Sequence, residues 1–228
     1  MCLRKGELRT IKFKDMKIGM IGSGKIGGNL GKHWAKAGHE VLFSSRHPKE
    51  LGSLVKEAGA NAKAVSVTEA FESKADVYVL AMPFKAIDNL SELYAGEYAN
   101  SIILDATNPY PERDGEMAQE VRDANYNASE YTAMKFSTAK TAKAFNTIKA
   151  EHLRDRAFED SDKLAIPYAA QDEQSKDVVK KLITDIGFDA VYVGNLSDTK
   201  IMDPEYKLYG LSVSKTELLE AVHSKQGH

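Results

Sequence analysis

The 228-residue sequence predicts an α/β fold, a Rossmann-type doubly wound parallel sheet with a small α/β C-terminal domain. Three observations predict it. Short apolar runs alternate five times with helical patterns through the first 110 or so residues. Glycines cluster at 19, 22, 24, 27 and 28, directly after the first apolar run. A second group of strand, helix and strand follows a long polar stretch. Parallel neighbours need a crossover of about a dozen residues or more, usually helical, so the alternation itself argues for a parallel sheet covered on both faces.

The elements follow in chain order. "KIGMI", "EVLFS", "AKAVSV", "DVYVLAM" and "SIILDAT" read as buried strands, separated by segments long enough for crossover helices. In the first helix Ile26, Leu30, Trp34 and Ala37 fall on one face. The stretch from Asn108 to Tyr131 is the longest polar, turn-rich segment and divides the chain. Beyond it "KTAKAF" and "DKLAIPYAA" read as strands. "DEQSKDVVKKLITDIG" reads as a helix with Asp172 as N-cap and Gly187 as its stop, and "FDAVYVG" as a returning strand. The segment from Pro204 onward is mostly helical by spacing. These features place an N-terminal extension at 1–15, a nucleotide-binding domain at 16–139 and a small substrate or lid domain at 140–228.

Gly22, Gly24 and Gly27 form G-x-G-x-x-G between a strand and a helix. In that context the first glycine permits a tight turn, the second lets the backbone approach a pyrophosphate, and the third lets helix and strand pack closely. The loop residues Ser23, Lys25 and Ile26 then bring free N–H groups to the anion. About 20 residues on, where an NAD site usually carries an acid for the ribose hydroxyl, stand Ser44, Ser45 and Arg46. Hydroxyls and a guanidinium bind a 2′-phosphate that a carboxylate would repel, so the expected cofactor is NADP(H). Lys49 could add a further charge; solvated loop charges are the plain alternative for it and for Arg46.

Composition narrows the function classes. The net charge of −2 gives no basic excess for nucleic acid or an anionic membrane, and no apolar run is long enough to span a bilayer. Cys2 is the only cysteine, which leaves no internal disulfide and no thiolate cluster. The six histidines, at 33, 39, 47, 152, 223 and 228, show no metal-ligand spacing and read as surface or helix residues. The expectation is a cytoplasmic protein without a metal, with a homodimer left open. No catalytic acid or base stands out: Asp105 reads as a loop-shaping acid and Lys149 as a solvated helix charge.

Several segments together resemble one family. "IGSGKIGGNLGKHWAKAGHEVLFSSR", "VYVLAMPFKAI", "ILDATNP", "KAFNTI" and "AIPYAAQDEQSKDVVKKLITDIGFDAVYVG" are similar to the NADP oxidoreductases dependent on the deazaflavin coenzyme F420. The nucleotide domain also looks like that of the STEAP-type metalloreductases. The resemblance implies that Ala81, Met82 and Pro83 cross the cofactor at the end of the fourth strand. It also implies that Asn108, Pro109, Ala144, Phe145 and Asn146 approach the nicotinamide, with a deazaflavin as co-substrate. Turn chemistry alone could select the same residues: Pro83 and Pro109 could merely end strands, and Asn146 could cap a helix starting at Thr147.

The expected activity is hydride transfer between NADPH and a flat ring acceptor, with Tyr168, Tyr206 and Tyr209 as walls of the acceptor site. Such transfer needs mainly positioning, because the cofactors carry the chemistry. The alternatives are a nonenzymatic NADP(H)-sensing protein and a ferric or small-carbonyl reductase. The related hydroxyacid and imine reductases fit less well, since they usually add an all-helical domain.

Overall fold

The computed structural model describes residues 15–124 and 126–224. Residues 1–14, with Cys2 and nearly all of the N-terminal extension, lie outside the described residues, as do 225–228.

Eight strands form one sheet in the order β3-β2-β1-β4-β5-β6-β7-β8. They are β1 (Lys17–Ile21), β2 (Glu40–Ser44), β3 (Ala62–Val65), β4 (Val77–Leu80), β5 (Ile102–Asp105), β6 (Lys140–Ala144), β7 (Ala165–Ala170) and β8 (Asp189–Gly194). Each falls where the sequence places a strand. All neighbours are parallel except β6 and β7, which pair antiparallel through Ala142 with Ala170 and Ala144 with Tyr168. Lys140, the expected domain boundary, begins β6, and β6 bonds to β5 on one side and β7 on the other. Both sides of that boundary therefore share one sheet.

Helices cover both faces. On one lie α1 (Lys25–Lys36), α2 (Gly52–Ala58), α8 (Ala150–Asp155) and α9 (Glu173–Asp185), packed on Ile18, Met20, Val79, Leu104 and Ala142. On the other lie α3 (Val67–Glu72), α4 (Ile87–Leu93), α6 (Glu116–Asp123) and α7 (Ala128–Lys135), packed on Ile21, Tyr78, Leu80 and Ile103. The alternation within each strand sends successive side chains to opposite cores, as buried parallel strands require. A third cluster, of Ala165, Val191, Met202, Leu208 and Leu218, lies under α10 (Lys215–His223).

The polar divider is not a loop: α5 (Pro111–Asp114), α6 and α7 occupy most of it, with Asn127 capping α7 through its side chain. Conversely, only α10 is α-helical among the described residues after Pro204. In α1 the inward face is Leu30, Trp34 and Ala35, while Ala37 is an exposed C-cap, because the helix ends one residue earlier. The Trp34 indole N–H donates to the Leu182 carbonyl at 2.8 Å and ties α1 to α9. Asp172 caps α9 by accepting from the Ser175 N–H, and Gly187 follows the helix at φ +89°, as expected.

His39 departs from its expected surface place. It is buried, its Nδ1 accepts from the Met16 N–H, and Nε2 therefore carries the proton donated to Asp185 at 2.9 Å. It thus fastens the start of β1 to the end of α9.

Candidate dinucleotide and acceptor site

The turn between β1 and α1 is shaped by two contacts that exclude a side chain. At Gly22, φ is +102° and a Cβ would stand 2.6 Å from the Ala81 carbonyl oxygen. At Gly27 a Cβ would stand 2.0 Å from the Gly22 oxygen. Gly24 differs: nothing lies within 4 Å of its would-be Cβ. It is the N-cap of α1, no side chain caps the helix, and no acid sits in the first turn. Unpartnered N–H groups and an open approach are what a pyrophosphate requires. The residues present thus fit a dinucleotide.

A cavity of about 540 Å³ opens on one side of this turn, lined by Gly22, Ser45, Arg46, Met82, Pro83 and Leu90 among others. Ser44 also borders it, but its hydroxyl is buried and donates to the Met20 carbonyl at 2.6 Å, so it has no proton left for a phosphate. The Ser45 hydroxyl accepts from the His47 N–H at 3.0 Å and keeps its proton. Arg46 is exposed and has no carboxylate partner among the described residues. Lys49 is exposed and does not line this cavity. Lys25 and Ser23 border a shallower groove over α2, and the Ser23 hydroxyl donates to the Ser44 carbonyl at 3.0 Å.

On the other side of the turn is a cavity of about 380 Å³, lined by Ile26, Asn108, Tyr110, Phe145, Asn146 and Tyr209 among others. Phe145 adopts φ +63°, a left-handed conformation uncommon for a bulky residue and characteristic of functional turns. Its ring meets Trp34 edge-on with centroids 5.7 Å apart. Asn146 does not cap a helix, since α8 starts at Ala150. Its Nδ2 donates to Asn108 Oδ1 at 3.0 Å and to the Met202 carbonyl at 2.8 Å, while Asn108 Nδ2 donates back to the Asn146 carbonyl at 2.9 Å. This reciprocal pair locks the loop after β5 to the loop after β6. Pro109 and Ala144 are buried and, like Ala81, line neither cavity.

Of the three expected wall tyrosines only Tyr209 reaches this cavity. Tyr168 is buried in β7, and Tyr206 lies in a separate polar cavity beneath Lys200. Tyr110, which sequence reading passed over inside the divider, takes their place. Its hydroxyl is hydrogen-bonded to that of Tyr209, and the Arg113 guanidinium sits 4.8 Å from its ring centre. Burial, then the Tyr209 neighbour, pushes the Tyr110 phenol well above its usual range.

Beneath the loops lies a buried ion pair that the sequence reading also missed. Lys143 Nζ donates to Asp105 Oδ2 at 3.0 Å and to the Thr107 carbonyl at 2.6 Å, with both side chains fully buried. Asp105 also accepts from the Thr107 N–H and hydroxyl and the Thr132 hydroxyl. Asp105 is thus the loop-shaping acid expected, and Lys149 is exposed as expected. A lysine at the centre of "KTAKAF" was the available signal, because an internal strand cannot bury a charge without a partner.

A glycine turn that opens α1 at the carboxyl end of a doubly wound sheet, with a cavity on either side, is a fold of the Rossmann class whose turn has the form of a dinucleotide site. Residues 17–109 match the family model described as NADP oxidoreductase coenzyme F420-dependent, the family that the motifs resemble. The Metalloreductase STEAP3 of Rattus norvegicus is 26% identical over 195 residues, which are 86% of this chain and 37% of that protein. The chain therefore spans little more than a third of that relative. Among solved structures, the hypothetical protein SMa0349 from Sinorhizobium meliloti aligns with a TM-score of 0.76 and 26% identity, over 88% of this chain and 96% of that one. A candidate F420-dependent NADP-reductase from Arthrobacter sp. FB24 aligns at 0.67 and 25%, over 79% and 86%. The 3-hydroxyisobutyrate dehydrogenase of Mycobacterium tuberculosis, at 0.56 and 15% over 80% of this chain and 56% of that one, shares the fold alone. No helix among the described residues is long and apolar enough to cross a membrane. Nor does any group of three or more His, Cys, Asp or Glu among them form a metal site.

Proposed function

We propose that the protein is an NADP(H)-dependent oxidoreductase that moves hydride between NADPH and a flat ring acceptor such as a deazaflavin or flavin. The observation that carries this reading is the pair of cavities flanking one glycine turn, one bordered by Ser45 and Arg46 and the other by Asn108 and Phe145. The first suits a phosphorylated ribose, through a free hydroxyl proton and a free guanidinium. The second suits a nicotinamide with a ring against it, because its floor is held by the Asn108–Asn146 pair and its wall by Phe145. NADPH, when bound, supplies the hydride. The chain's part is to fix two rings face to face and to limit water, which is where positioned reactions gain most of their rate.

A second reading, reduction of a ferric complex, draws on the metalloreductase relative. Anaerobic single-turnover mixing with NADPH and deazaflavin, flavin, ferric or carbonyl acceptors tests both. Oxidation by a ring acceptor supports the first. NADPH binding without oxidation by any acceptor would instead leave a nonenzymatic NADP(H)-sensing protein.

A further inference from the structure

We propose that the hydrogen-bonded phenols of Tyr110 and Tyr209 are the proton source of the acceptor cavity. The acceptor is then one that takes hydride at a carbon and a proton at the oxygen or nitrogen conjugated to it. The inference rests on the hydride-transfer reading above and narrows it to this class.

The directions of the hydrogen bonds carry the argument. The Met202 carbonyl can only accept, so it fixes which end of the Asn146 amide is Nδ2. That same Nδ2 donates to Asn108 Oδ1, which in turn fixes Asn108 Nδ2 as the donor to the Asn146 carbonyl and, at 3.4 Å, to the Tyr110 hydroxyl oxygen. Tyr110 accepts there and shares a second hydrogen bond with the Tyr209 hydroxyl, in which either oxygen can be the donor. One bond uses one of the two phenolic protons, so the other is left for the cavity that both rings line, and the Tyr209 side chain is 37% exposed.

The Arg113 guanidinium lies over the Tyr110 ring and donates to the Asn108 carbonyl, and it is itself paired with the buried Asp114 carboxylate at 2.7 Å, so an ion pair rather than a lone charge fixes the Tyr110 side of the cavity. Burial, then the Tyr209 neighbour, holds the Tyr110 phenol above its ordinary range. Lys149 and Glu151 border the same cavity, and Lys149 is the competing donor to be excluded.

The step balances. The hydride leaves with both electrons of its C–H bond and forms a C–H bond at the acceptor carbon. The π pair of the acceptor's C=N or C=O moves to the heteroatom, which takes the Tyr209 proton. The O–H electron pair stays on Tyr209, which regains a proton from Tyr110 or water. NADPH is oxidised and the acceptor reduced by two electrons. A ferric complex has no use for such a proton.

The test uses the full chain as wild type, Tyr209→Phe, Tyr110→Phe and Lys149→Met, with two flat rings. A 5-deazaflavin gains a proton at nitrogen when it accepts hydride, whereas an N-methylacridinium cation does not. Tyr209→Phe should slow single-turnover reduction of the deazaflavin about 100-fold, with a smaller loss in Tyr110→Phe, and leave the acridinium within about 3-fold. Calorimetry of the NADP⁺-loaded protein should show deazaflavin binding weakened about 2- to 10-fold in Tyr209→Phe, as for one lost hydrogen bond. Equal losses with both rings, no loss with either, unchanged deazaflavin binding in an active enzyme, or a selective loss in Lys149→Met would overturn the proposal alone. A wild type that binds NADP⁺ yet reduces neither ring would overturn the hydride-transfer reading beneath it.

Discussion

Lys143→Met removes one half of the only fully buried ion pair among the described residues, and its cost can be worked from the bonds around it. The substitution preserves length and apolar stem but deletes a charge that serves both Asp105 and the Thr107 carbonyl. Asp105 would keep three donors, two from Thr107 and one from Thr132, and lose its counter-charge. Breaking a buried pair by removing one partner costs about 3–5 kcal/mol, and the three remaining donors argue for the lower end, about 3 kcal/mol. For a chain of this size that corresponds to a fall in Tm of about 6–12 °C. Adding Asp105→Asn removes the stranded charge, so the double variant should be less destabilised than the sum of the two single changes by at least about 2 kcal/mol. Equilibrium urea unfolding of the wild type, both single variants and the double variant measures this cycle. A loss below about 1 kcal/mol in Lys143→Met, or additivity in the double variant, would refute the view that the pair holds the loops carrying Asn108 and Phe145.

Arg46→Ala should weaken NADPH about 10- to 100-fold, the worth of one charge-assisted bond, and leave NADH nearly unchanged; calorimetry with both cofactors at fixed salt reads the difference. Gly24→Ala adds a methyl where nothing lies within 4 Å, so its Tm should hold while NADPH affinity falls. Gly22→Ala meets the Ala81 carbonyl at 2.6 Å with φ +102° and should cost about 1–3 kcal/mol from overpacking alone, read by urea unfolding. Burial raises the Asp203 carboxyl above its ordinary 3.8, so the folded state holds that proton more tightly than the unfolded one. The stability it contributes is therefore full below 3.8 and lost as pH rises through the raised value. Asp203→Asn should be more stable than wild type at pH 7.5 by a margin that narrows toward pH 4.5, measured by urea midpoints.

The glycine turn and the strands were legible because each is written locally: an apolar run of strand length, a glycine where φ is positive or a backbone presses close, and a polar end to β2. Direction and partnership were not. The connection from Asn146 to Leu164 is long enough for a parallel crossover, yet β7 runs back antiparallel, since length permits both outcomes. Tyr110 was hidden by its polar surroundings, which read as solvent-facing loop and instead form α5. The Ser44 hydroxyl is spent on the strand next to it, so under the proposed function the donors left for a phosphate are one and two residues later, at Ser45 and Arg46. His39 and Lys143 were misread or missed for one reason: a buried polar side chain is known by a partner distant in sequence, Asp185 for the first and Asp105 for the second.

The two halves of the candidate site differ in how firmly they are built, and the difference follows from what each is asked to do under the proposed function. Ser45 is half-buried and Arg46 exposed, with one backbone bond to the serine and no acid partner for the arginine among the described residues. A phosphate is recognised by charge over a broad range of geometries, so rigid support would add little there. Around Phe145 the backbone is held in a left-handed conformation that costs on the order of 1–3 kcal/mol and persists only where the surroundings over-determine it. They do so here: the Trp34 ring packs on its edge, Asn146 is tied to Asn108 and Met202, and Lys143 grips Thr107 from below. Hydride transfer needs reacting atoms within about 3–3.5 Å, and a displacement of 1 Å can cost about 100-fold in rate. A strained turn above a buried ion pair is a costly structure, and it occurs on the side where distance rather than charge would limit the reaction.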